Sequence, residues 1–242
     1  MCTVTYLPAT DGFILTHNRD EAPTRSPKAL TRQAMEEDTL LFPRDTKAGG
    51  TWIATSASGK TACLLNGAFE KHHHQPPYRR SRGLVLLDFM TSVQPDLFLA
   101  QIDLDGIEPF TLLYFSTQQV VEFRWDGHQK YLQSLPADQP HFWCSATLYP
   151  APMRTRREQV FRDWLAQQAA TPPQPEQILT LHRQGSIGDP ENNYVMDRAG
   201  RVKTVSITQV VCQYAQASLR YFDLLDHTED SDRLHFVGLL IG

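Results

Sequence analysis

The residues best suited to chemistry lie at the start of the chain: Cys2, and then His17-Asn18-Arg19-Asp20-Glu21. Cys is small enough for Met1 to be removed before it, which would leave a thiol and a free α-amine on one residue. A thiolate is a nucleophile, and a nearby cation lowers its pKa from ~8.5. Arg19 can supply that cation if its side chain reaches round. The α-amine, with an unperturbed pKa of ~7.7–8.0, can take and return the proton. Asp20 can hold the amine, and Asn18 can orient the substrate or the nucleophile. This is equipment for covalent catalysis. The plain alternative is a cysteine that opens an ordinary strand ahead of a solvated turn, and spacing alone balances the two.

A hairpin must bring these groups together. Thr3 to Leu7 and Phe13 to Thr16 are rich in β-branched and aromatic residues, and Asp11-Gly12 marks the turn between them. A turn there makes antiparallel partners sum to about 19 to 21 in residue number. Cys2 then faces His17, Asn18 or Arg19 across a gap of ~5 Å. Asn18 and Asp20 point to one face and Arg19 to the other. The expectation is a thiol, an amine, an amide and a carboxylate at one sheet end, with the guanidinium behind.

Further along, a polar stretch from Glu21 to Asp38 reads as a loop, and "GGTWIATS" with "KTACLLN" as a second hairpin. Helices are expected from Ser81 or Arg82 through "GLVLLDFMTS", in "QPDLFLAQI", from Arg154 to Ala169, and after "TPPQP". The apolar positions of the long helix are Val160, Phe161, Trp164 and Leu165, with its arginines on the exposed side. "FTLLYFS", "VVEFRW", "NYVM", "RVKTVSITQVV" and "LRYFDLL" read as strands. Hairpins dominate and βαβ alternation is absent. The fold class is therefore α+β with antiparallel sheets, in one domain over residues 1–242.

A net charge of -4 gives no reason to expect nucleic acid, and no apolar run approaches the ~20 residues of a membrane span. The N-terminus does not read as a signal peptide, so the expected compartment is the cytoplasm. Cys63, Cys144 and Cys212 sit in apolar surroundings and read as small buried hydrophobes. His72-His73-His74 does not share a face in a helix or strand and reads as a solvated loop. No metal or cofactor is implied, and the expected partner is a small-molecule substrate. Gly49-Gly50-Thr51-Trp52 reads as a loop along which a ligand approaches backbone, with Trp52 as a wall. Arg79, Arg80 and Arg82 precede a helix start where an anion could bind, though a charged surface is the plainer reading.

The segments "MC", "NRDE" at Asn18-Arg19-Asp20-Glu21, "AGGTWIA" at Ala48 to Ala54, and "LLN" ending at Asn66 resemble, in that order, the NRDE family. This is the family of the transport and Golgi organisation protein. "WCSATLYP" and "KTVSITQVV" extend the resemblance over nearly the whole chain. It implies the N-terminal nucleophile hydrolase superfamily and a four-layer αββα sandwich, two antiparallel sheets packed between helices. Choloylglycine hydrolases and penicillin V acylases of that superfamily cleave linear amides with an N-terminal Cys. Carried over by position, Cys2 is the nucleophile, its amine the base, and Asp20 the group that orients the amine. Asn18 matches an Asn two residues before that Asp. Asn66 becomes an oxyanion donor, typically worth roughly 3 kcal/mol of barrier.

Two departures stand out. His17 replaces an Arg of choloylglycine hydrolases, with Arg19 on the other face, and Ser145 falls where a second oxyanion Asn is usual. Bile-salt substrates are therefore not implied. His17, Trp52 and Ser145 are the expected substrate contacts. The resemblance implies a cysteine amidohydrolase or acyltransferase. The alternative is a non-catalytic protein of the same fold that binds or transfers haem or a lipid-like metabolite.

Overall fold

The computed structural model describes residues 2–25, 27, 29–35, 38–168 and 172–237. The expected removal of Met1 concerns a residue outside this set. The chain opens with the antiparallel hairpin β1 (Cys2–Ala9) and β2 (Gly12–Glu21). One turn of 3-10 helix at Pro23–Arg25 leads to β3 (Leu30–Ala34), β4 (Thr39–Pro43), β5 (Ile53–Ser56) and β6 (Thr61–Asn66). The helices α1 (Arg82–Thr91) and α2 (Pro95–Gln101) follow, then β7 (Phe110–Phe115), β8 (Val120–Trp125), β9 (Lys130–Leu135) and β10 (His141–Cys144). Next come α3 (Ala151–Gln167) and α4 (Pro175–Gln184). The described chain closes with β11 (Asp197–Arg198), β12 (Val202–Gln213), β13 (Gln216–Asp223) and β14 (Thr228–His235).

These strands build two antiparallel sheets. The first runs β10-β1-β2-β12-β13-β14, with β11 on β12; the second runs β3 to β9 in chain order. Alternation along each strand decides what each face buries. From β1 and β2, Val4, Tyr6, Phe13 and Leu15 meet Ile53, Cys63, Leu113 and Phe115 of the other sheet. The opposite face of the first sheet sends Leu7 and Ile14 against Phe161 of α3 and Ile178 and Leu181 of α4. The outer face of the second sheet packs Ala62, Leu64 and Leu112 under Val85, Leu86 and Phe89 of α1 and Leu99 of α2. The result is the four-layer αββα sandwich.

The Glu21 to Asp38 stretch contains β3, which the loop reading missed, and "NYVM" is irregular apart from the short β11 beyond it. Strands β4, β9, β10 and β14 were also unmarked in the sequence. Both β3 and β14 are largely exposed edge strands, so backbone pairing rather than an apolar face defines them.

Candidate active site

Cys2 pairs with Arg19 across the β1–β2 hairpin. Cross-strand partners project to the same face, so thiol and guanidinium share the inner face of the sheet. Both are buried, Cys2 at 3% and Arg19 at 4% exposure. Arg19 donates to Asp45 Oδ2 at 2.5 Å and to the Arg25 carbonyl at 2.6 Å, and its Cζ lies 3.9 Å from the Trp52 ring centroid. Arg25 binds Glu21 at 2.9 Å and Asp45 at 2.8 Å. Burial raises the Asp45 pKa, but the Ala48 N–H and the two guanidinium groups outweigh it and leave Asp45 below its ordinary value.

The expectation that Asn18 and Asp20 gather around the thiol needs correction. With Cys2 opposite Arg19, the even-numbered residues of β2 lie on the outer face, towards the helices. Asn18 donates to the carbonyls of His182 and Tyr194 at 3.0 and 2.9 Å, and accepts from His182 Nδ1 at 2.6 Å. Asp20 accepts from Tyr149 Oη at 2.9 Å and from Thr204 Oγ1 at 2.6 Å. A β-bulge between Thr204 and Ser206 shifts the register of β12 beside Asp20 and Arg19; such bulges re-aim side chains next to sites. Asp20 still acts on Cys2 through space, because its charge contributes to raising the thiol pKa.

Cys2, Arg19, Trp52 and Asn66 line one cleft, together with Gly50, Ser81, Arg82 and Gly83. Two loops make its wall by backbone contact. A Cβ on Gly50 would meet the Gly83 carbonyl carbon at 2.4 Å, and one on Gly83 would meet Thr51 O at 2.8 Å. Only glycine fits at either position. The Thr51 N–H donates to Gly83 O at 3.2 Å and ties the start of α1 to the "GGTW" loop. Ser81 is the N-cap of α1, its side chain accepting from Leu84 N.

Asn66 ends β6 half-buried, and its side-chain amide has no hydrogen-bond partner among the described residues. Ser145 fixes the backbone around it, because its N–H donates to Cys2 O at 2.9 Å and its Oγ donates to Asn66 O at 2.8 Å. Ser145 is fully buried and is not part of the cleft wall. It therefore positions two site residues rather than contacting a ligand. His17 is likewise fully buried below the surface, with Nε2 on Leu64 O at 3.3 Å and Nδ1 without a partner among the described residues. Trp52 lines the cleft and also packs in the core between the sheets.

Burial pushes the Cys2 thiol above its ordinary value; Asp20 raises it further and Arg19 pulls it back. Burial holds His17 down at about 3, so it is neutral at pH 7. Asp20 is raised by burial, against the lowering effects of Arg157 and of hydrogen bonds from Thr204 and Tyr149. Cys63 lies well above its ordinary value for the same reason of burial.

Arg157 went unrecognised in the sequence. It is fully buried on α3, not on the exposed side. It donates to the carbonyls of Asn192 and Asn193 at 2.5 and 2.6 Å and to Thr3 Oγ1, beneath the rings of Tyr149 and Tyr194. Helical spacing carried the signal, since Arg157 precedes buried Phe161 by one turn. Asp45 left no signal, because only the fold brings it to Arg19. The histidine run also differs from a plain solvated loop. His72 and His74 share Glu108 Oε1 at 3.0 and 3.3 Å, and Arg82 takes Oε2 at 2.9 Å.

The sequence matches the Transport and Golgi organisation 2 family over residues 1–217. The chain belongs to that family. No curated protein matches it. Among solved structures, this family member resembles penicillin V acylase from Agrobacterium tumefaciens, with a TM-score of 0.57 at 9% identity over 96% of this chain and 85% of that one. It also resembles a variant of conjugated bile acid hydrolase from Clostridium perfringens, with a TM-score of 0.58 at 11% identity over 96% and 92% of the two chains. The N-terminal nucleophile hydrolase fold is shared. Among the described residues, no helix is long and apolar enough to cross a membrane.

Proposed function

We propose that this protein cleaves a linear C–N amide bond of a small molecule through an acyl-enzyme on Cys2. One observation supports this most: a thiol, an uncommitted amide donor on Asn66 and a buried guanidinium line the same cleft. Burial keeps the thiol protonated at rest, so attack requires a base. The α-amine of Cys2, freed once Met1 is removed, takes that proton. Sulfur then bonds to the carbonyl carbon while Asn66 donates to the developing oxyanion. The C–N bond breaks, and the leaving amine departs with the proton. Water attacks the thioester, releases the carboxylic acid and restores the thiol; an amine acceptor in its place gives acyl transfer.

The remaining residues support these two from around the cleft. Arg19 sets the thiol's field, and Asp20 acts on it through space from the outer face. Asn18 ties β2 to α4 through the His182 carbonyl. Trp52 shapes the wall, while His17 and Ser145 hold the floor.

The test is intact-mass analysis after incubation with an N-acyl p-nitroanilide. The expected result is a chain lacking Met1 that carries one acyl group on Cys2, with none on Cys2→Ala. A retained Met1 in the natural protein defeats the mechanism. Binding that survives Cys2→Ala without any adduct favours a carrier of lipid-like metabolites instead.

A further inference from the structure

Four strands bound the two sheets: β10 and β14 the first, β3 and β9 the second. An edge strand carries unpaired N–H and C=O groups that another strand can use, so folded chains guard such edges. Three of these edges are guarded. β10 is only four residues long, and its Trp143 donates to Glu122 of β8 at 2.8 Å. β14 carries Glu229, Asp230, Asp232 and Arg233 and closes against β3. There Arg32 binds Asp232 at 2.7 Å, and the Leu30 N–H donates to Asp230 at 2.8 Å.

β9 has none of these protections. Lys130 to Leu135 contain no proline, pair with β8 in an unbroken register and are largely exposed. The strand's one charge is turned away, because Lys130 Nζ donates to the Ala100 carbonyl of α2 at 2.8 Å. Exposed apolar side chains gather on both of its faces. Leu132 is 56% exposed, and Tyr131, on the other face, stands edge-on to exposed Phe69 at 4.9 Å.

The open backbone groups follow from the turns. In the β8–β9 turn the Asp126 N–H donates to Gln129 O, so that pair is hydrogen-bonded. Bonded and non-bonded pairs alternate along an antiparallel ladder, which directs Tyr131, Gln133 and Leu135 to β8. The β7–β8 turn agrees: the Ser116 N–H donates to Gln119 O, which directs Val121 to β7 and leaves Val120 for Leu135. Lys130, Leu132 and Ser134 therefore point their N–H and C=O groups outward, without a backbone partner among the described residues.

We propose that β9 is a homodimer interface, in which two copies of this chain pair their β9 strands antiparallel about a twofold axis at Leu132. A twofold axis through an antiparallel pair stands perpendicular to the sheet and keeps each face on its own side. Odd residues then meet odd ones and even residues even ones. With the axis at Leu132, that residue meets its own counterpart, and Lys130 meets Ser134 of the partner subunit. These are the three residues with open groups, and each pair exchanges both of its hydrogen bonds. No like charges oppose each other. This self-complementarity is what selects a second copy as the occupant. One strand a side falls short of the ~1,200 Å² of a stable complex, so the dimer exchanges with monomer in the micromolar range.

Sedimentation velocity of the natural protein from about 1 to 100 µM should show monomer giving way to dimer. Ser134→Pro removes an outward N–H that no bond within the chain uses, and Leu132→Lys sets two like charges against each other. Each should stay folded by circular dichroism and raise the dimerisation midpoint at least about tenfold. Gln133→Lys, on the same exposed strand with its backbone turned to β8, should leave the midpoint unchanged. In the natural protein, hydrogen exchange at the Lys130, Leu132 and Ser134 amides should slow as concentration rises over the same range. That measurement needs no variant. A dimer indifferent to Ser134→Pro and Leu132→Lys, or one weakened equally by Gln133→Lys, overturns the pairing. A monomer throughout overturns the homodimer and leaves the edge to a strand of another protein.

Discussion

Cys2 and Arg19 face each other across the first hairpin, and Arg19 is pinned by Asp45 at 2.5 Å and stacked on Trp52. The guanidinium is therefore a fixed charge beside the thiol. Its removal should raise the thiol pKa further, since Arg19 is one of the groups that lowers it. In Arg19→Met, Cys2 alkylation at pH 7.5 should slow, because less of the thiol is ionised. Asp45→Asn, which releases Arg19 but keeps it, should slow it less. Unchanged rates in Arg19→Met would show that the charge does not reach the sulfur.

Labelling should also separate the four thiols. Cys63 and Cys212 are buried in the core between the sheets, whereas Cys144 is partly exposed and Cys2 opens on the cleft. Burial holds both Cys144 and Cys212 up at about 11. A small alkylator should modify Cys2 first, Cys144 next and the other two only on unfolding. Peptide mapping over time checks the order.

Asn66→Ala should lower kcat by about 10²–10³ with little change in KM, if its amide donates only to the oxyanion. The backbone bond from Ser145 to Asn66 O does not depend on that side chain, so folding should persist. A parallel rise in KM alone would make Asn66 a ground-state binder.

Acid stability follows from His17. Its folded pKa is about 3 against an ordinary 6.5, so below pH 6.5 the unfolded chain takes up a proton that the folded chain refuses. Stability contributed by this neutral imidazole is complete above pH 6.5 and declines as pH falls towards 3, at about 1.4 kcal/mol per pH unit. His182 is also lowered by burial and adds to the same slope. Urea denaturation at pH 7 and pH 5 should show the loss, and His17→Gln should reduce it by one proton's worth. An unchanged slope in His17→Gln would place its titration near normal.

Arg157 and Asp20 are buried opposite charges behind β1 that act on each other through space, with no direct contact among the described residues. Arg157 also ties Thr3 to the Asn192 and Asn193 carbonyls, and its loss would leave those buried acceptors unpaired. Arg157→Met should therefore destabilise severely, and Arg157→Met with Asp20→Asn should recover part of that loss. Chemical denaturation in a double-mutant cycle measures the coupling. Simple additivity would mean that Tyr149 and Thr204 stabilise Asp20 unaided.

The hairpin around Cys2 was legible because Asp11-Gly12 fixes a turn between two strand-forming runs. Its working face was not. A register shift of one residue exchanges the faces, and turn position alone left that residue open. The pairing of Cys2 with Arg19 sent Asn18 and Asp20 to the helices and brought Arg19 to the thiol. Arg157 was legible in principle, as a position on the buried stripe of α3, but a charge at such a position is easily assigned to solvent. Asp45 and Glu108 were beyond reach, because pairing across sheets and loops leaves no local spacing to read.

The strand that carries Cys2 is held by what comes much later in the chain. β1 is completed by β10 and by the Ser145 N–H, and β2 is completed by β12 at Lys203 to Gln213. Cys2 thus depends on sheet partners that lie more than a hundred residues away in the chain. Contacts of such high sequence separation fold slowly. During that interval Cys2 lies on an incomplete sheet edge. The topology therefore makes shielding of the Cys2 thiol a late event in folding.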